Sequence, residues 1–112
     1  MTVYVIANVT VHDPEPYKGY SALVPETMAK YGGWYVGRAG AAGDADIVEG
    51  NFQPGRFVIL AFDSKDAALS WYNSEEYQAA AEIRRKYSDA DIFIIDEVPA
   101  EAGSTRAWGD WR

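Results

Sequence analysis

An alternation of apolar and polar positions begins the chain and is typical of a β-strand. Over residues 3–11 every odd position holds valine or alanine, whereas the even positions include Asn8. A helix is predicted next, because Asp13 suits an N-cap and Pro14 suits the first helical position. Apolar residues then recur at helical spacing, and a glycine pair at 32–33 predicts the end of this helix.

The same two patterns, strand-like runs and helical spacing of apolar residues, predict the remaining elements. A pair of helices begins at Ser64 and Ser74, both of which suit N-caps, and the second helix ends near Tyr87. A Gly/Ala-rich segment separates the second strand from extended structure at 47–49, and a hairpin loop is expected at 50–55. The further strands are predicted at 34–38, 56–62 and 92–95.

The order strand, helix, strand, strand, helix pair, strand is that of the split βαβ motif. The sequence therefore predicts an α+β, ferredoxin-like domain over residues 1–97, with an antiparallel sheet and the helices on one face. Two strands, at 57–62 and 92–95, are apolar without alternation, so both faces of the sheet need cover. A second copy of the chain supplies that cover most simply, and we expect an isologous homodimer.

Composition narrows the classes of partner and cofactor. The 112 residues carry a net charge of −7, which disfavours nucleic acid and anionic membrane surfaces as partners. The longest apolar run is too short for a membrane span and no basic leader is present, so a cytoplasmic location is expected. With no cysteine and one histidine, we expect neither a metal site nor a cofactor. The basic run 84–86 is interpreted as a solvated last helical turn.

A series of short motifs runs in order along residues 3–97 and includes Asp13-Pro14-Glu15, Tyr31-Gly32-Gly33, Pro54-Gly55-Arg56 and Trp71-Tyr72-Asn73. On these motifs the chain resembles the bacterial family named domain of unknown function 1330 (DUF1330), within the dimeric α/β-barrel superfamily. The resemblance implies two ferredoxin-like subunits with facing sheets and outer helices. It leaves the chemistry open, because the superfamily includes cofactor-free monooxygenases, haem-degrading enzymes, isomerases, dehydratases and members with no known reaction.

Asn8 is a candidate ligand-binding residue, because an amide in the middle of an apolar strand needs a hydrogen-bonding partner. That partner is either neighbouring backbone, which would make the residue structural, or a bound ligand. The resemblance adds that some haem-degrading and monooxygenase relatives use an asparagine at a similar place on the first strand.

Arg38 is a second candidate, because it ends an apolar strand and could clamp a substrate carboxylate with two hydrogen bonds. The alternative is a surface ion pair with Asp44 or Asp46. Glu49 and Arg56 bracket the predicted hairpin loop, and we expect them to form a cross-strand pair.

Aromatic residues are concentrated on the predicted helices, where most of them are expected to pack in the core. Buried tyrosine hydroxyls nevertheless need partners, so their number indicates a partly polar cleft between helices and sheet, suited to a small molecule. We expect Asn8 on the floor of this cleft, Arg38 at its mouth, and Tyr20, Trp71 and Tyr72 on its walls.

The sequence thus predicts a small-molecule-binding dimer. The resemblance extends this prediction to a cofactor-free monooxygenase, isomerase or dehydratase acting on a small aromatic or acidic metabolite, with a tyrosine as acid or base. The alternative is a non-catalytic ligand-binding or stress-associated interaction module, and no residue is assigned as catalytic. In the tail, 98–112, Trp108 and Trp111 are too apolar for a solvated end, so at least one is expected to pack on the body or on the partner subunit.

Overall fold

The computed structural model describes residues 1–40 and 45–98, and there the elements follow the predicted order. Four strands and three helices are present in these two ranges, which confirms the α+β prediction and the helix pair. They are β1 (Val3–Val11), α1 (Pro14–Lys30), β2 (Trp34–Ala39), β3 (Arg56–Phe62), α2 (Lys65–Tyr72), α3 (Glu75–Tyr87) and β4 (Ser88–Asp96).

The strands form one antiparallel sheet in the order β2-β3-β1-β4. The central strand β1 places Val5 opposite Leu60 of β3 on one side and opposite Ile94 of β4 on the other. This order is the ferredoxin-like arrangement that the split βαβ pattern predicts. The edge strand β2 has a register irregularity between Tyr35 and Gly37 in its pairing with β3.

Helix α1 begins and ends where the local sequence favours it. Asp13 occupies the N-cap with extended backbone, and Pro14 follows at the first turn, where an N–H has no partner within the helix. Gly32 follows the C-cap with a φ of +76°, which glycine adopts without the steric cost of a side chain. The helix continues through Pro25, although this residue cannot donate a hydrogen bond to the carbonyl one turn earlier.

Helices α2 and α3 are capped by serine hydroxyls, as the sequence predicts. Ser64 Oγ accepts a hydrogen bond from the Ala67 N–H at 3.0 Å. Ser74 Oγ accepts from the Tyr77 N–H at 3.1 Å and donates to the Trp71 carbonyl at 2.7 Å. The buried Ser74 hydroxyl therefore joins the end of α2 to the start of α3.

One face of the sheet carries the helices and the hydrophobic core. Because side chains alternate along a strand, odd-numbered residues of β1 and even-numbered residues of β3 point into this core. The buried cluster contains Val3, Val5, Val24, Met28, Leu60, Phe62, Ala68, Trp71, Tyr77 and Ala81.

The opposite face of the sheet, which we call the open face, has no helix against it in the described part of the chain. Three of its large side chains, Trp34, Phe93 and Ile95, are 43%, 50% and 45% exposed. An apolar surface of this kind favours association with a partner. By strand register the large apolar residues of the open face are Tyr4, Ile6, Trp34, Phe57, Ile59, Phe93 and Ile95.

The predicted extended segment at 47–49 is wrong, since these residues lie in the connection between β2 and β3 and form no strand. Gly50, with a φ of +91°, turns the chain there, and β propensity alone does not create a strand without a neighbour to pair with. The predicted cross-strand pair of Glu49 with Arg56 is therefore also wrong. Arg56 lies opposite Val9 of β1 instead.

The interpretation of 84–86 as a solvated turn is wrong for its first residue. Arg84 is only 5% exposed, whereas Arg85 and Lys86 are exposed. Helical spacing explains the difference, because Tyr77 and Ala81 lie seven and three residues before Arg84 on the buried face of α3.

Two sequence predictions fall on residues outside the described ranges. The packing of Trp108 or Trp111 belongs to 99–112, and the ion pair of Arg38 with Asp44 involves 41–44. Both stay predictions, as does the division between a body and a tail.

Candidate functional site

A partly open cavity of about 680 Å³ lies between α1 and the helix-bearing face of the sheet. Strands β1 and β3 line it on one side, α1 lines the other, and the edge strand β2 borders it. The helix pair contributes Trp71 and Tyr77. A volume of this size, with mostly apolar walls and a few polar groups, suits a small organic molecule.

Three tyrosines supply most of the polar atoms on the helical side of the cavity. The rings of Tyr17 and Tyr20 lie 5.3 Å apart on successive turns of α1. The hydroxyls of Tyr20 and Tyr77 are 2.9 Å apart, so one donates a hydrogen bond to the other. This partly buried hydroxyl pair joins α1 to α3, and both tyrosines line the cavity.

Trp71 presents its ring, and not its N–H, to the site. Its Nε1 donates to Thr27 Oγ1 at 3.0 Å, and Thr27 in turn donates to the Val24 carbonyl at 2.8 Å. The indole N–H is thus satisfied within the protein. The Trp71 ring packs against the Tyr77 ring with the centres 4.2 Å apart and the planes tilted by 43°, so it forms an aromatic wall.

Arg38 and Arg56 are the cationic residues that line the cavity, and no Asp or Glu is among its described lining residues. The Arg56 guanidinium lies 5.0 Å from the centre of the Tyr17 ring, a cation–π contact. Within residues 1–40 and 45–98 the ion pairs are His12–Asp89, Lys18–Glu15 and Lys30–Glu76, so neither arginine is paired with a carboxylate there. The cavity is therefore positively charged in a protein that is acidic overall.

Burial sets the protonation of the cavity tyrosines. Desolvation raises the pKa of Tyr20 far above its usual value, and the neighbouring Tyr77 raises it further. Desolvation also raises the pKa of Tyr17, although Arg56 acts in the opposite direction. Both hydroxyls are neutral at physiological pH, so they can exchange hydrogen bonds with a ligand but do not act as resident bases.

The structure brings three of the five predicted ligand-binding residues together. Tyr20, Arg38 and Trp71 all line the cavity. Tyr72 does not line it, but packs against Trp71 and Tyr77 with ring centres 6.4 Å and 5.5 Å away, beside a smaller depression of about 370 Å³.

Asn8 is not on the cavity floor, so its expected position is wrong. It lies on the open face, because even-numbered residues of β1 point away from the helices. Its Oδ1 accepts a hydrogen bond from the backbone N–H of Gly55 at 3.1 Å, next to the start of β3. This contact is the backbone alternative that the sequence left open.

Other residues of the site were missed or misinterpreted, although the sequence contained a signal for each. Arg56 has the same strand parity as Leu60, which places both on the helix-bearing face. Tyr17 and Tyr77 belong to the aromatic residues of the predicted helices, whose hydroxyls indicated the cleft, but the sequence did not single them out as ligand-binding residues. Tyr35 of β2 also lines the cavity, and burial raises its pKa.

The described residues contain no group of three or more His, Asp or Glu side chains that could hold a metal ion. None of the helices in these ranges is long and apolar enough to cross a membrane.

Comparison with protein families and curated proteins gives one match. The family model described as domain of unknown function (DUF1330) matches residues 2–98. No curated protein matches the chain.

Solved structures share the fold at low sequence identity. A protein of unknown function from Rhodopseudomonas palustris is 14% identical, with a TM-score of 0.69 over 88% of this chain and 83% of that one. A dimeric ferredoxin-like protein of unknown function from Jannaschia sp. CCS1 is 8% identical, with a TM-score of 0.66 over 87% and 100%. SnoaB, a cofactor-independent oxygenase from Streptomyces nogalater, is 16% identical, with a TM-score of 0.61 over 88% and 95%. Similarity at this level shows the fold alone.

Proposed function

The chain belongs to the family described as domain of unknown function (DUF1330), and we propose that its cavity binds a small aromatic carboxylic acid. One observation carries the proposal: a cavity with aromatic walls holds two arginines, Arg38 and Arg56, that have no carboxylate partner among the described residues. An aromatic body would pack against Trp71 and the tyrosines. A carboxylate would supply the missing counter-charge.

The position of the two arginines supports an anionic ligand. Both are exposed at the edge of the cavity, on the border strand β2 and at the start of β3. Their guanidinium groups stay charged at any physiological pH and can bind a carboxylate with two parallel hydrogen bonds. The whole chain carries a net charge of −7, so the positive charge at this cavity contrasts with the rest of the molecule and favours an anionic ligand there.

Binding, more than base catalysis, is supported by the state of the tyrosines. If the protein is an enzyme, the sequence predicts an unspecified tyrosine as acid or base, but the raised pKa of the cavity residue Tyr20 keeps its hydroxyl protonated. The oxygenase activity in the description of SnoaB is that of SnoaB, and the shared fold does not transfer it. Measuring oxygen uptake in the presence of the bound acid distinguishes a cofactor-free oxygenase from a binding protein.

The proposed working form is a homodimer built on the open face. The exposed apolar side chains of that face need cover, and a second copy of the same face is self-complementary by symmetry. Similar proteins from Jannaschia sp. CCS1 and Thermobifida fusca are described as dimeric ferredoxin-like proteins. The cavity lies on the other side of the sheet, so both sites of such a dimer remain accessible.

Calorimetric titration with 2-naphthoate tests the binding proposal, with the neutral 2-naphthamide as its isostere. We expect the acid to bind at least about tenfold more tightly than the amide, because hydrogen bonds to charged groups are worth about 1.5–3 kcal/mol. The double variant Arg38→Gln/Arg56→Gln should remove this preference. Arg85→Gln is the matched control, since Arg85 is exposed on α3, outside the cavity lining, and donates to Gln78. Equal affinity for acid and amide in the unmodified protein would refute the proposal.

A further inference from the structure

The cavity and the smaller depression beside it share part of their lining. Of the described residues, Val5, Trp71 and Ile92 line both the cavity of about 680 Å³ and the depression of about 370 Å³. Val5 and Ile92 belong to β1 and β4, so they form a common floor on the sheet, whereas Trp71 comes from α2. Trp71 is the largest of these side chains and is only 2% exposed. Its indole ring therefore separates the two spaces.

The neighbours of the indole ring support this position. Tyr77, which lines the cavity but not the depression, has its ring centre 4.2 Å from that of Trp71. Tyr72, which lines the depression but not the cavity, has its ring centre 6.4 Å away. The indole Nε1 donates to Thr27 Oγ1 at 3.0 Å, so the ring cannot turn aside without breaking a buried hydrogen bond. Trp71 is thus a fixed wall between the two spaces.

This wall lies far from the guanidinium of Arg56. Arg56 begins β3 and Phe62 ends it, and the Trp71 ring centre lies 5.3 Å from that of Phe62. Because a strand rises about 3.4 Å per residue, the two ends of this seven-residue strand are about 20 Å apart. An acid that places its carboxylate at Arg56 therefore extends its apolar end toward Trp71.

We propose that Trp71 is a specificity-determining residue that limits the length of the acid bound in the cavity. An acid whose apolar end stops at the indole ring fits the cavity. A longer acid needs the space of the depression, which the ring closes off. This inference rests on the proposed function, since it fixes how far the same ligand extends from its carboxylate, and it selects a compact aromatic acid without a long chain opposite the carboxylate.

Calorimetric titration with a series of 4-alkylbenzoates, from methyl to octyl, tests the inference. Each added methylene group is buried in the cavity until the chain reaches Trp71. We therefore expect the affinity to rise roughly two- to fourfold per methylene over the shorter chains and then to stop rising. The chain length at this break measures the depth of the cavity.

Variants at the wall and in the depression test which residue sets the break. Trp71→Leu joins the two spaces, so it should move the break to longer chains. 4-Octylbenzoate should then bind at least about tenfold more tightly than to the unmodified protein, the effect of burying about two more methylenes, whereas 4-methylbenzoate should gain little. Leu69 lines only the depression and is 37% exposed. Leu69→Trp alone is the matched control and should leave the break unchanged, and added to Trp71→Leu it should return the break to its original chain length.

The possible results are distinct. The inference is overturned if the unmodified protein shows no break, or if Trp71→Leu weakens every member of the series equally and leaves the break in place. Binding of 2-naphthoate or of the shorter benzoates still upholds the proposed function in those cases. Should Trp71→Leu not fold, Trp71→Phe replaces it and should move the break in the same direction by fewer methylenes. If neither 2-naphthoate nor any benzoate binds, the proposed function and this inference are both wrong.

Discussion

At the scale of single residues, the side-chain amide of Asn8 fixes the start of strand β3. Its Oδ1 accepts from the Gly55 N–H, one residue before β3 begins. Gly55 lies so close to the Val9 carbonyl that a β-carbon at this position would overlap it. Gly55 and Asn8 together therefore fix the point at which the long connection from β2 rejoins the sheet.

Replacing Asn8 with alanine should destabilise the protein without weakening ligand binding. The Gly55 N–H would lose its partner, and we expect the free energy of unfolding to fall by about 1–3 kcal/mol. Urea denaturation measures this change, and titration with 2-naphthoate measures binding. Asn51→Ala is the control, because Asn51 is exposed in the same connection. A loss of binding with unchanged stability would restore the ligand-binding role that the sequence first suggested.

At the scale of elements, α1 and α3 are held together by more than apolar packing. Glu76, in the first turn of α3, accepts from Lys30 Nζ at 2.8 Å and from the Tyr31 hydroxyl at 3.3 Å. The hydrogen bond from Lys30 lowers the pKa of Glu76 from 4.5 to about 2. The same contact raises the pKa of Lys30.

This pair predicts a pH dependence of stability. Because the folded-state pKa of Glu76 is depressed, its contribution is present above pH 4.5 and is lost as the pH falls toward 2. The stability difference between the unmodified protein and Glu76→Gln should therefore shrink over that range, as urea midpoints at successive pH values would show. Glu75→Gln is the control at the same helix end, because Glu75 is in none of the ion pairs of residues 1–40 and 45–98. A difference that stays constant down to pH 2 would contradict the assignment.

At the scale of the whole molecule, the two faces of the sheet differ in what covers them. The helix-bearing face encloses the core and the cavity, whereas the open face exposes apolar side chains. Burying the open face removes that apolar area from water, at roughly 25 cal/mol per Å². Association through it would leave the cavity entrance free.

A charge on the open face should break the proposed dimer. Phe93 is half exposed in the single chain, so Phe93→Glu should leave the fold intact while preventing association. Sedimentation should give twice the 12.4 kDa chain mass for the unmodified protein and the single chain mass for the variant. Leu23→Glu, an exposed apolar residue on α1, is the matched control and should stay dimeric. A monomeric unmodified protein would show that the open face has another role.

The sequence by itself determined the order of the elements and their capping. These features depend on a few residues that are close in sequence, such as the alternating residues of a strand or the serine before a helix. The serine caps at 64 and 74 and the glycine turn at 32 are examples. The two unbroken apolar strands likewise indicated that a second sheet face needs cover.

Only the tertiary structure decided which polar residues meet. Asn8 and Arg56 are both polar residues near apolar strands, yet strand parity and register place them on opposite faces of the sheet. Arg84 comes within reach of Tyr20 only because α3 packs against α1, across 64 residues of sequence. Such pairings depend on the long-range docking of elements, and no local pattern encodes the partner of a buried charge.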